Sequence, residues 1–208
     1  MTRDIVLYHH PYSRAAGVVW ALEEVGVPYR LKFVDLMKGE QKKPDVLALN
    51  PMGKLPILID GDQVVTESAA IALYLADRYA AGKLAPPLDD PRRGTYLRWI
   101  LFSPSVIEPG ASAKSSNWEL RESAVGWGNF DAMMTTIHSA IEGKQFLLGD
   151  MFSMADVVFG GTLRFMTRFH MIDSTPQLAA YIERLDARPA YQRSEERNAA
   201  VRAEHGLT

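Results

Sequence analysis

The residues best placed to do chemistry lie between Asn50 and Tyr79, where Pro56 is followed eleven positions later by the pair Glu67-Ser68. Pro56 opens an apolar run, at a loop-to-strand junction where a cis peptide bond can be kept. If the bond is cis, the backbone before Pro56 turns outward and can pair with an extended peptide. Glu67 and Ser68 stand at a helix start, where free N–H groups favour a carboxylate and Glu67 can hold an ammonium group. Such a set suits a small zwitterionic peptide.

Local patterns predict a β-hairpin and a helix around these residues. The run Pro56 to Ile59 is strand-like, Gly61-Asp62 is a turn dipeptide, and Val64-Val65 resumes a strand. Thr66 to Ser68 are typical of a helix start, and Ala69 to Ala76 follow without a charge. Taken singly, these residues could merely end a loop and cap a helix. Their combination and order are more specific.

The segment before this stretch predicts a parallel β-α-β unit. Ile5 to Tyr8 is a short apolar strand, and Ser13 can cap a helix that ends at Gly26. Residues 29–36 alternate as a second strand, and two parallel strands joined in this way have a right-handed crossover. Pro44 can start a short helix after it. Periodicity alone indicates a mixed α/β domain.

The rest of the chain predicts helices. A Gly- and Pro-rich segment at residues 81–91 is the best candidate for a linker. Helices are expected beyond it over residues 91–116, 118–142, 155–169 and 175–185, with a short one near Ala190. Asp156 could bond back to the amide of Ser153 in a reciprocal cap. Gly160-Gly161 would cost about 1 kcal/mol each inside a helix, so close helix packing is the expected reason for them.

Composition excludes several classes of function. The formal net charge of -2 gives no case for nucleic acid, and no apolar run approaches the roughly 18 residues of a membrane span. No signal-peptide pattern is found at the start, so a cytoplasmic location is expected. There is no cysteine, so any sulfur chemistry must use a thiol brought in by the substrate. The histidines lack ligand spacing, so no metal is assigned, and Ser13 lacks the Gly-x-Ser-x-Gly setting of a hydrolase.

Two motifs resemble those of the cytosolic glutathione S-transferase family. The family's N-P-x-G-K-V/L-P loop stands here as Asn50-Pro51-Met52-Gly53-Lys54-Leu55-Pro56, and its E-S-x-A-I-x-x-Y-L helix begins at Glu67. The resemblance extends over the whole chain. It implies a thioredoxin-like domain of order βαβαββα in residues 1–80, a linker at 81–91 and an all-helical domain in residues 92–208. Because cysteine is absent, the chain resembles the bacterial-type serine or tyrosine branches.

The resemblance implies a glutathione site in the first domain. In this family the protein holds glutathione as a co-substrate and stabilises its thiolate, which attacks a small apolar electrophile in detoxification. The residues implied for glutathione are Gln41, Lys54, Leu55, Pro56, Glu67 and Ser68. The backbone of Leu55 would pair with the peptide, and Glu67 and Ser68 would hold its γ-glutamyl end. Gln41 and Lys54 would contact the glycyl carboxylate.

One hydroxyl at the start of the first helix is sufficient to stabilise the thiolate. Lowering a thiol pKa by two units from about 8.5 needs roughly 2.7 kcal/mol. A hydrogen bond to a charged group supplies about 1.5–3 kcal/mol, and a helix N-terminus adds roughly 0.3–1. Ser13 is the first choice, because Pro11-Tyr12-Ser13-Arg14 resembles the P-x-S-R word of the serine-type branches, although the match is partial beyond it. Tyr12 is the second choice and Tyr8 the third.

The resemblance also implies an electrophile pocket between the domains and a homodimer. The pocket residues would be Tyr12, Phe102, Ser105, Val106 and Ile107. In the dimer, the hairpin-helix segment and the first helix after the linker would meet their copies across a two-fold axis. Two alternatives stay open, since a fold does not settle function. One is another glutathione-dependent enzyme, such as an isomerase, dehalogenase or peroxidase, and the other is a non-catalytic binding or scaffold protein.

Overall fold

The computed structural model describes residues 4–207 and consists of two compact units. The first unit contains the chain up to Tyr79 and again from Arg188 onward, and the second contains Ala80–Ala187. The family resemblance implied one helical domain over residues 92–208, whereas the last helix packs with the first unit. The contacts that hold it there join residues far apart in the chain, and such contacts leave no local pattern in the sequence.

The described residues form four strands and nine α-helices. The strands are β1 Ile5–His9, β2 Arg30–Phe33, β3 Ile57–Asp60 and β4 Gln63–Thr66. The helices are α1 Ala15–Val25, α2 Pro44–Leu49, α3 Ser68–Tyr79, α4 Arg93–Phe102, α5 Glu108–Ser115, α6 Phe130–Ile141, α7 Met154–Arg168, α8 Pro176–Asp186 and α9 Pro189–Glu204. Short 3-10 turns lie at Glu40–Lys42 and Glu122–Ala124, and Ser103–Ile107 forms a π-helical turn.

The sheet of the first unit has the strand order β2-β1-β3-β4. β1 and β2 are parallel, as the β-α-β pattern predicted, and β3 is antiparallel to both β1 and β4. The element order from β1 to α3 is βαβαββα, and the second unit is helical. The predicted thioredoxin-like and all-helical fold is therefore confirmed.

Helices α1 and α3 are secured at their ends. α1 ends at Gly26 as predicted, where φ is 74° and the N–H bonds to the carbonyl of Leu22 at 2.9 Å. α3 is tied to the sheet by Asp60, a fully buried carboxylate at the end of β3. Asp60 accepts hydrogen bonds from the hydroxyls of Tyr74, at 2.7 Å, and Tyr79. The two tyrosine bonds thus hold α3 against the sheet, and Gly26 determines where α1 ends.

Helix α9 is joined to α1 by ion pairs. Arg188 donates two hydrogen bonds to the carboxylate of Glu24, at 2.6 and 2.8 Å, and Arg193 donates one to Glu23 at 2.8 Å. α9 is much longer than the short helix expected in this region, because its polar sequence has no clear apolar stripe to reveal its length. The contacts with α1, rather than a hydrophobic pattern, determine its position.

Helix α7 lies at the centre of the second unit. Its start has the predicted reciprocal cap, in which the N–H of Ser153 donates to Asp156 at 2.9 Å. Asp156 also accepts a hydrogen bond from the hydroxyl of Tyr181 at 2.9 Å. Close packing is confirmed at Gly160, because a Cβ atom there would lie 2.1 Å from Cδ1 of Leu185.

The helix predicted over residues 118–142 begins only at Phe130. Gly128 has φ of 68°, a left-handed conformation that interrupts a helix. Asn129 then caps α6, since its Oδ1 accepts the N–H of Ala132 at 2.7 Å. Glycine and asparagine therefore delay the helix by about three turns.

Candidate active site

The sheet register brings three separate segments to one edge of the first unit. Ile57 of β3 lies between Tyr8 of β1 and Thr66 of β4. Continuing both antiparallel registers toward Leu55 leads to the turn after β1 on one side and to the start of α3 on the other. Leu55, Tyr8 and Ala15, the first residue of α1, also belong to one apolar cluster. The loop before β3, the turn before α1 and the N-terminus of α3 therefore meet here.

The Leu55–Pro56 peptide bond is cis, as predicted. The side chain of Leu55 is buried, whereas its backbone N–H and C=O have no hydrogen-bond partner within residues 4–207. Asn50 organises the loop before this bond, because its Nδ2 donates to the carbonyl of Lys54 at 3.0 Å and its Oδ1 accepts the N–H of Met52 at 3.2 Å. The loop thus leaves a backbone edge at Leu55 that can pair with a peptide.

Glu67 and Ser68 stand at the start of α3. Glu67 has φ of 66°, and its carbonyl accepts the N–H of Ile71 at 2.9 Å. In the described part of the chain, the N–H groups of residues 68–70 have no acceptor. The side chain of Glu67 is exposed. A carboxylate is favoured at these N–H groups, and an ammonium group is favoured beside Glu67.

Ser13 lies in a hydrogen-bonded turn between β1 and α1. Its hydroxyl donates to the carbonyl of His10 at 2.8 Å and accepts the N–H of Ala15 at 3.1 Å. Its own N–H bonds to the same carbonyl at 3.0 Å, and the N–H of Tyr12 donates to Nδ1 of His10 at 3.2 Å. The hydroxyl of Ser13 is therefore held at the N-terminus of α1, where the helix dipole favours negative charge.

The two tyrosine candidates differ in availability. Tyr12 follows His10 in the same turn as Ser13, and its side chain is 50% exposed. Tyr8 is buried, and its hydroxyl accepts a hydrogen bond from Nζ of Lys32 at 3.1 Å. The ammonium of Lys32 also lies 4.4 Å from the centroid of the Tyr8 ring. The hydroxyl of Tyr8 is therefore already engaged, whereas the side chain of Tyr12 reaches solvent.

The turn that carries Gln41 packs against the loop that carries Lys54. Nζ of Lys42 donates to the carbonyl of Met52 at 2.9 Å. Gly53 has φ of 57°, and a Cβ atom there would lie 2.9 Å from the carbonyl oxygen of Gln41. Oε1 of Gln41 is buried without a hydrogen-bond partner in the described chain, and Lys54 is exposed. Gln41 and Lys54 are thus on neighbouring segments.

The remaining predicted pocket residues lie in the second unit, around the π-helical turn. Phe102, at the end of α4, is half-buried, as is Val106, and Ser105 is exposed. Ile107 is fully buried in the core, which leaves it no exposed surface for a ligand. The turn replaces part of the helix predicted over residues 91–116, and it contains Pro104, which lacks the N–H donor that a continuous α-helix requires.

Burial lowers the pKa of both histidines that follow β1. The pKa of His9 falls to about 4, mainly because the ring is fully buried, although its hydrogen bond to Asn198 opposes the shift. The pKa of His10 is also lowered by burial, with Asp35 opposing and His205 reinforcing the shift. Both imidazoles are therefore neutral near pH 7, and the pair adds no positive charge to the site.

Residues 4–207 contain no group of three or more histidine, aspartate or glutamate side chains that could hold a metal ion. Among the helices they form, none combines the length and apolar content that a bilayer span requires.

Family models match nearly the whole chain. The model for the glutathione S-transferase N-terminal domain matches residues 3–77, and the model for the glutathione S-transferase C-terminal domain matches residues 76–203. The chain belongs to the glutathione S-transferase family. This confirms the resemblance inferred from the Asn50 to Pro56 loop and the Glu67-Ser68 helix start.

Similar proteins support the same enzyme class. Glutathione S-transferase 2 of Schizosaccharomyces pombe is 29% identical, over 93% of this chain and 97% of its own length. Glutathione S-transferase 1 of the same organism is 30% identical, over 88% of this chain and 92% of its own length. The crystal structure of glutathione transferase URE2P6 from Phanerochaete chrysosporium, in complex with oxidized glutathione, is 28% identical with a TM-score of 0.79. The match covers 96% of this chain and 98% of the chain in that crystal structure. The chain is thus a glutathione S-transferase enzyme.

Two residues of the site were missed by sequence reasoning. Asn50 was recognised only as the first letter of a motif, although its side chain bonds to two positions of the loop. His10 received no role, although it accepts hydrogen bonds from the backbone of Tyr12 and from Ser13. An asparagine before a proline is a turn signal that could have indicated the first role. No sequence pattern indicates the second.

Proposed function

We propose that this transferase conjugates glutathione to small apolar electrophiles and belongs to the serine branch, with Ser13 as the residue that stabilises the thiolate. One observation carries this proposal. Within the first unit, the unpaired backbone edge of Leu55, the free N–H groups at residues 68–70 and the hydroxyl of Ser13 meet at one edge of the sheet. A peptide, a carboxylate and a thiolate are the three groups these features favour.

The orientation of glutathione follows from these features. The γ-glutamyl carboxylate would accept the N–H groups at the start of α3, and Glu67 would hold the ammonium group beside it. The backbone of the central cysteinyl residue would pair with Leu55. The glycyl carboxylate would then extend toward the amide nitrogen of Gln41 and the ammonium of Lys54, which lie on adjacent segments. This orientation directs the sulfur toward the turn before α1.

The hydrogen bond from Ser13 can supply the free energy that is needed to lower the pKa of the glutathione thiol. The hydroxyl donates to the carbonyl of His10, so its hydrogen must rotate toward the sulfur when the thiolate forms. A bond to a charged acceptor is worth about 1.5–3 kcal/mol, and the bond given up is worth about 0.5–1.5. With roughly 0.3–1 kcal/mol from the dipole of α1, the thiol pKa falls by about one to two units. The N–H of Ala15 keeps the oxygen in place meanwhile.

The chemical step needs no further protein group. The thiol gives its proton to water, the sulfur attacks the electrophilic carbon, and a C–S bond forms as the leaving group departs with its bonding electrons. The apolar part of the electrophile would contact Tyr12. This assignment rests on the family resemblance and on the side chain of Tyr12, which is 50% exposed.

Retention on immobilised glutathione and turnover of a chromogenic aryl halide test this function. We expect wild-type protein and the Ser13→Ala variant to be retained equally, and the variant to lose at least about tenfold in kcat/KM, the equivalent of one lost charge-assisted bond. Ser116→Ala, at an exposed position of the second unit, is the matched control and should leave the rate unchanged. Unchanged turnover in Ser13→Ala would shift the role to Tyr12 or Tyr8.

Other outcomes identify the alternatives. Retention without turnover of any aryl halide, but with peroxide reduction or isomerisation, would assign another glutathione-dependent reaction. No retention at all would assign a non-catalytic protein.

We also propose a homodimer, supported by the apolar side chain of Val64, which is 45% exposed on the hairpin that the resemblance implies for the interface. Sedimentation of wild type and Val64→Asp would test it, with dissociation expected in the variant.

A further inference from the structure

His10 is the centre of the turn that carries both hydroxyl candidates. Its carbonyl accepts the hydroxyl of Ser13 at 2.8 Å and the N–H of Ser13 at 3.0 Å. Its Nδ1 accepts the N–H of Tyr12 at 3.2 Å. Three of the hydrogen bonds that define the turn therefore end on one residue, and only the last of them depends on its side chain.

The bond to Tyr12 determines which nitrogen of His10 carries the proton. Because Nδ1 accepts an N–H, the neutral ring must carry its hydrogen on Nε2. Nε2 is buried and has no hydrogen-bond partner in the part of the chain that the structure describes. A buried donor without an acceptor costs about 1–3 kcal/mol, a cost that a phenylalanine ring would avoid. What a histidine adds at this position is the acceptor at Nδ1.

A second histidine provides an internal comparison. The rings of His10 and His205 both contact Phe33, at the end of β2, with centroid distances of 5.4 and 3.7 Å. His10 is 2% exposed, whereas His205, at the end of α9, is exposed and has no hydrogen bond to the turn. The two residues therefore share a packing partner but differ in the bond to Tyr12.

We propose that His10 is a positioning residue for thiol activation: by accepting the N–H of Tyr12, its Nδ1 holds the turn in the conformation that presents the hydroxyl of Ser13 to glutathione. This inference rests on the proposed function. His10 itself touches neither the substrate nor the reacting sulfur. Without the bond from Tyr12, the turn keeps only the two bonds to the carbonyl of His10, so the peptide unit of Tyr12 is less constrained and the hydroxyl of Ser13 is held less firmly at the start of α1.

Two substitutions at His10 separate the hydrogen bond from ring packing. His10→Phe keeps an aromatic ring against Phe33 and removes the acceptor. His10→Asn removes the ring and keeps an oxygen, Oδ1, at the position of Nδ1. His205→Phe is the matched control, because His205 also stacks on Phe33. If the inference is right, the smaller and less similar asparagine performs better than phenylalanine.

The decisive readout is the pKa of the bound glutathione thiol, followed by the ultraviolet absorbance of the thiolate as pH is raised. We expect His10→Phe to raise this pKa by about half to one unit and to lower kcat/KM by about five- to tenfold, the effect of one lost hydrogen bond. His10→Asn should stay within about threefold of wild type, and His205→Phe should match it. Retention on glutathione should be unchanged in all three variants.

Failure of this inference is distinguishable from failure of the proposed function. If wild type lowers the thiol pKa and Ser13→Ala abolishes the effect, the function stands. His10→Phe with a wild-type thiol pKa would then overturn the positioning role. Equal losses in His10→Phe and His10→Asn would overturn it too, since a ring-packing role would explain them better. If instead Ser13→Ala has no effect, it is the proposed function that fails.

The charged or titratable groups facing His10 are Asp35, His205 and His9, and their titration is common to wild type and the Asn and Phe variants.

Discussion

Replacing His9 by glutamine tests how the C-terminal helix is held to the sheet. His9, at the end of β1, is fully buried, and its Nε2 lies 2.8 Å from Oδ1 of Asn198 in α9. The amide of Asn198 donates to Glu195 at 3.4 Å, so Oδ1 is the acceptor and Nε2 of His9 carries the hydrogen. The amide nitrogen of a glutamine can occupy the place of Nε2 and keep this bond. His9→Gln therefore removes the ionisation and retains the contact.

The size of the effect follows from the shift in pKa. Burial lowers the pKa of His9 to about 4, whereas an unfolded chain has a histidine pKa of about 6.5. Because the folded pKa is the lower one, the unfolded chain binds the extra proton, and stability is lost as pH falls below about 6.5 and on through 4. At 1.36 kcal/mol per unit, wild type should lose about 1.4 kcal/mol between pH 7.5 and pH 5.5 through this residue, and about 3 kcal/mol by pH 4.

Denaturant unfolding of wild type and His9→Gln at a series of pH values measures this quantity. Protein concentration must be equal throughout, and two probes should give coincident transitions. Titration of the groups that do not interact with His9 cancels in the difference between the two proteins. We expect this difference to change by about 1.4 kcal/mol between pH 7.5 and 5.5, in favour of the variant at the lower pH. A difference that stays constant within about 0.5 kcal/mol would refute the reasoning, because His9 would then ionise freely in the folded chain.

Three further substitutions have expected outcomes. Gly160→Ala should destabilise the chain by about 1–3 kcal/mol in denaturant unfolding, because its Cβ would overlap Leu185, and the same substitution should cost less in a Leu185→Ala background, where the overlap is absent. Tyr181→Phe should cost about 1–2 kcal/mol by the same measurement, since the buried carboxylate of Asp156 loses a donor. Gly53→Ala should weaken glutathione binding by calorimetry, because φ of 57° is strained for alanine by about 1–3 kcal/mol and the methyl group meets a backbone carbonyl.

Specific results would contradict each expectation. If Gly160→Ala has wild-type stability, the approach of Leu185 to α7 is wrong. If Tyr181→Phe is neutral, Asp156 is satisfied by its backbone donors alone. If Gly53→Ala binds glutathione as wild type does, the loop before Leu55 does not need its left-handed turn. Lys83→Ala, at an exposed position of the second unit, serves as a common control for all three.

The parts of the fold that were predicted correctly depend on neighbouring residues. The hairpin of β3 and β4 follows from a turn dipeptide between two apolar runs, and the end of α1 follows from Gly26. The reciprocal cap of Ser153 and Asp156 has a spacing that only a helix start explains. Each of these patterns acts over a few residues, so it can be recognised without knowing the rest of the structure.

The candidate site was predicted from motifs, and its assembly was not. Leu55 and Ser68 were named because their motifs resemble those of the family, and the sheet register supplies the reason they are neighbours. The bond from Tyr12 to His10 is local in the chain, yet no composition rule predicts which nitrogen of a histidine meets a backbone N–H. Side-chain direction in a turn depends on the packing around it, here on Phe33.

The sequence by itself determined the strands and helices around the site, the cis bond before β3, the absence of a cysteine nucleophile and the family. The tertiary structure alone decided that α9 packs with the first unit, that Asn198 meets His9 across 189 positions of chain, and that Ile107 lies in the core. The physical reason is the range of the interactions. Turn, cap and capping-box preferences are properties of adjacent residues, whereas ion pairs, buried hydrogen bonds and register join residues that become neighbours only after the chain has folded.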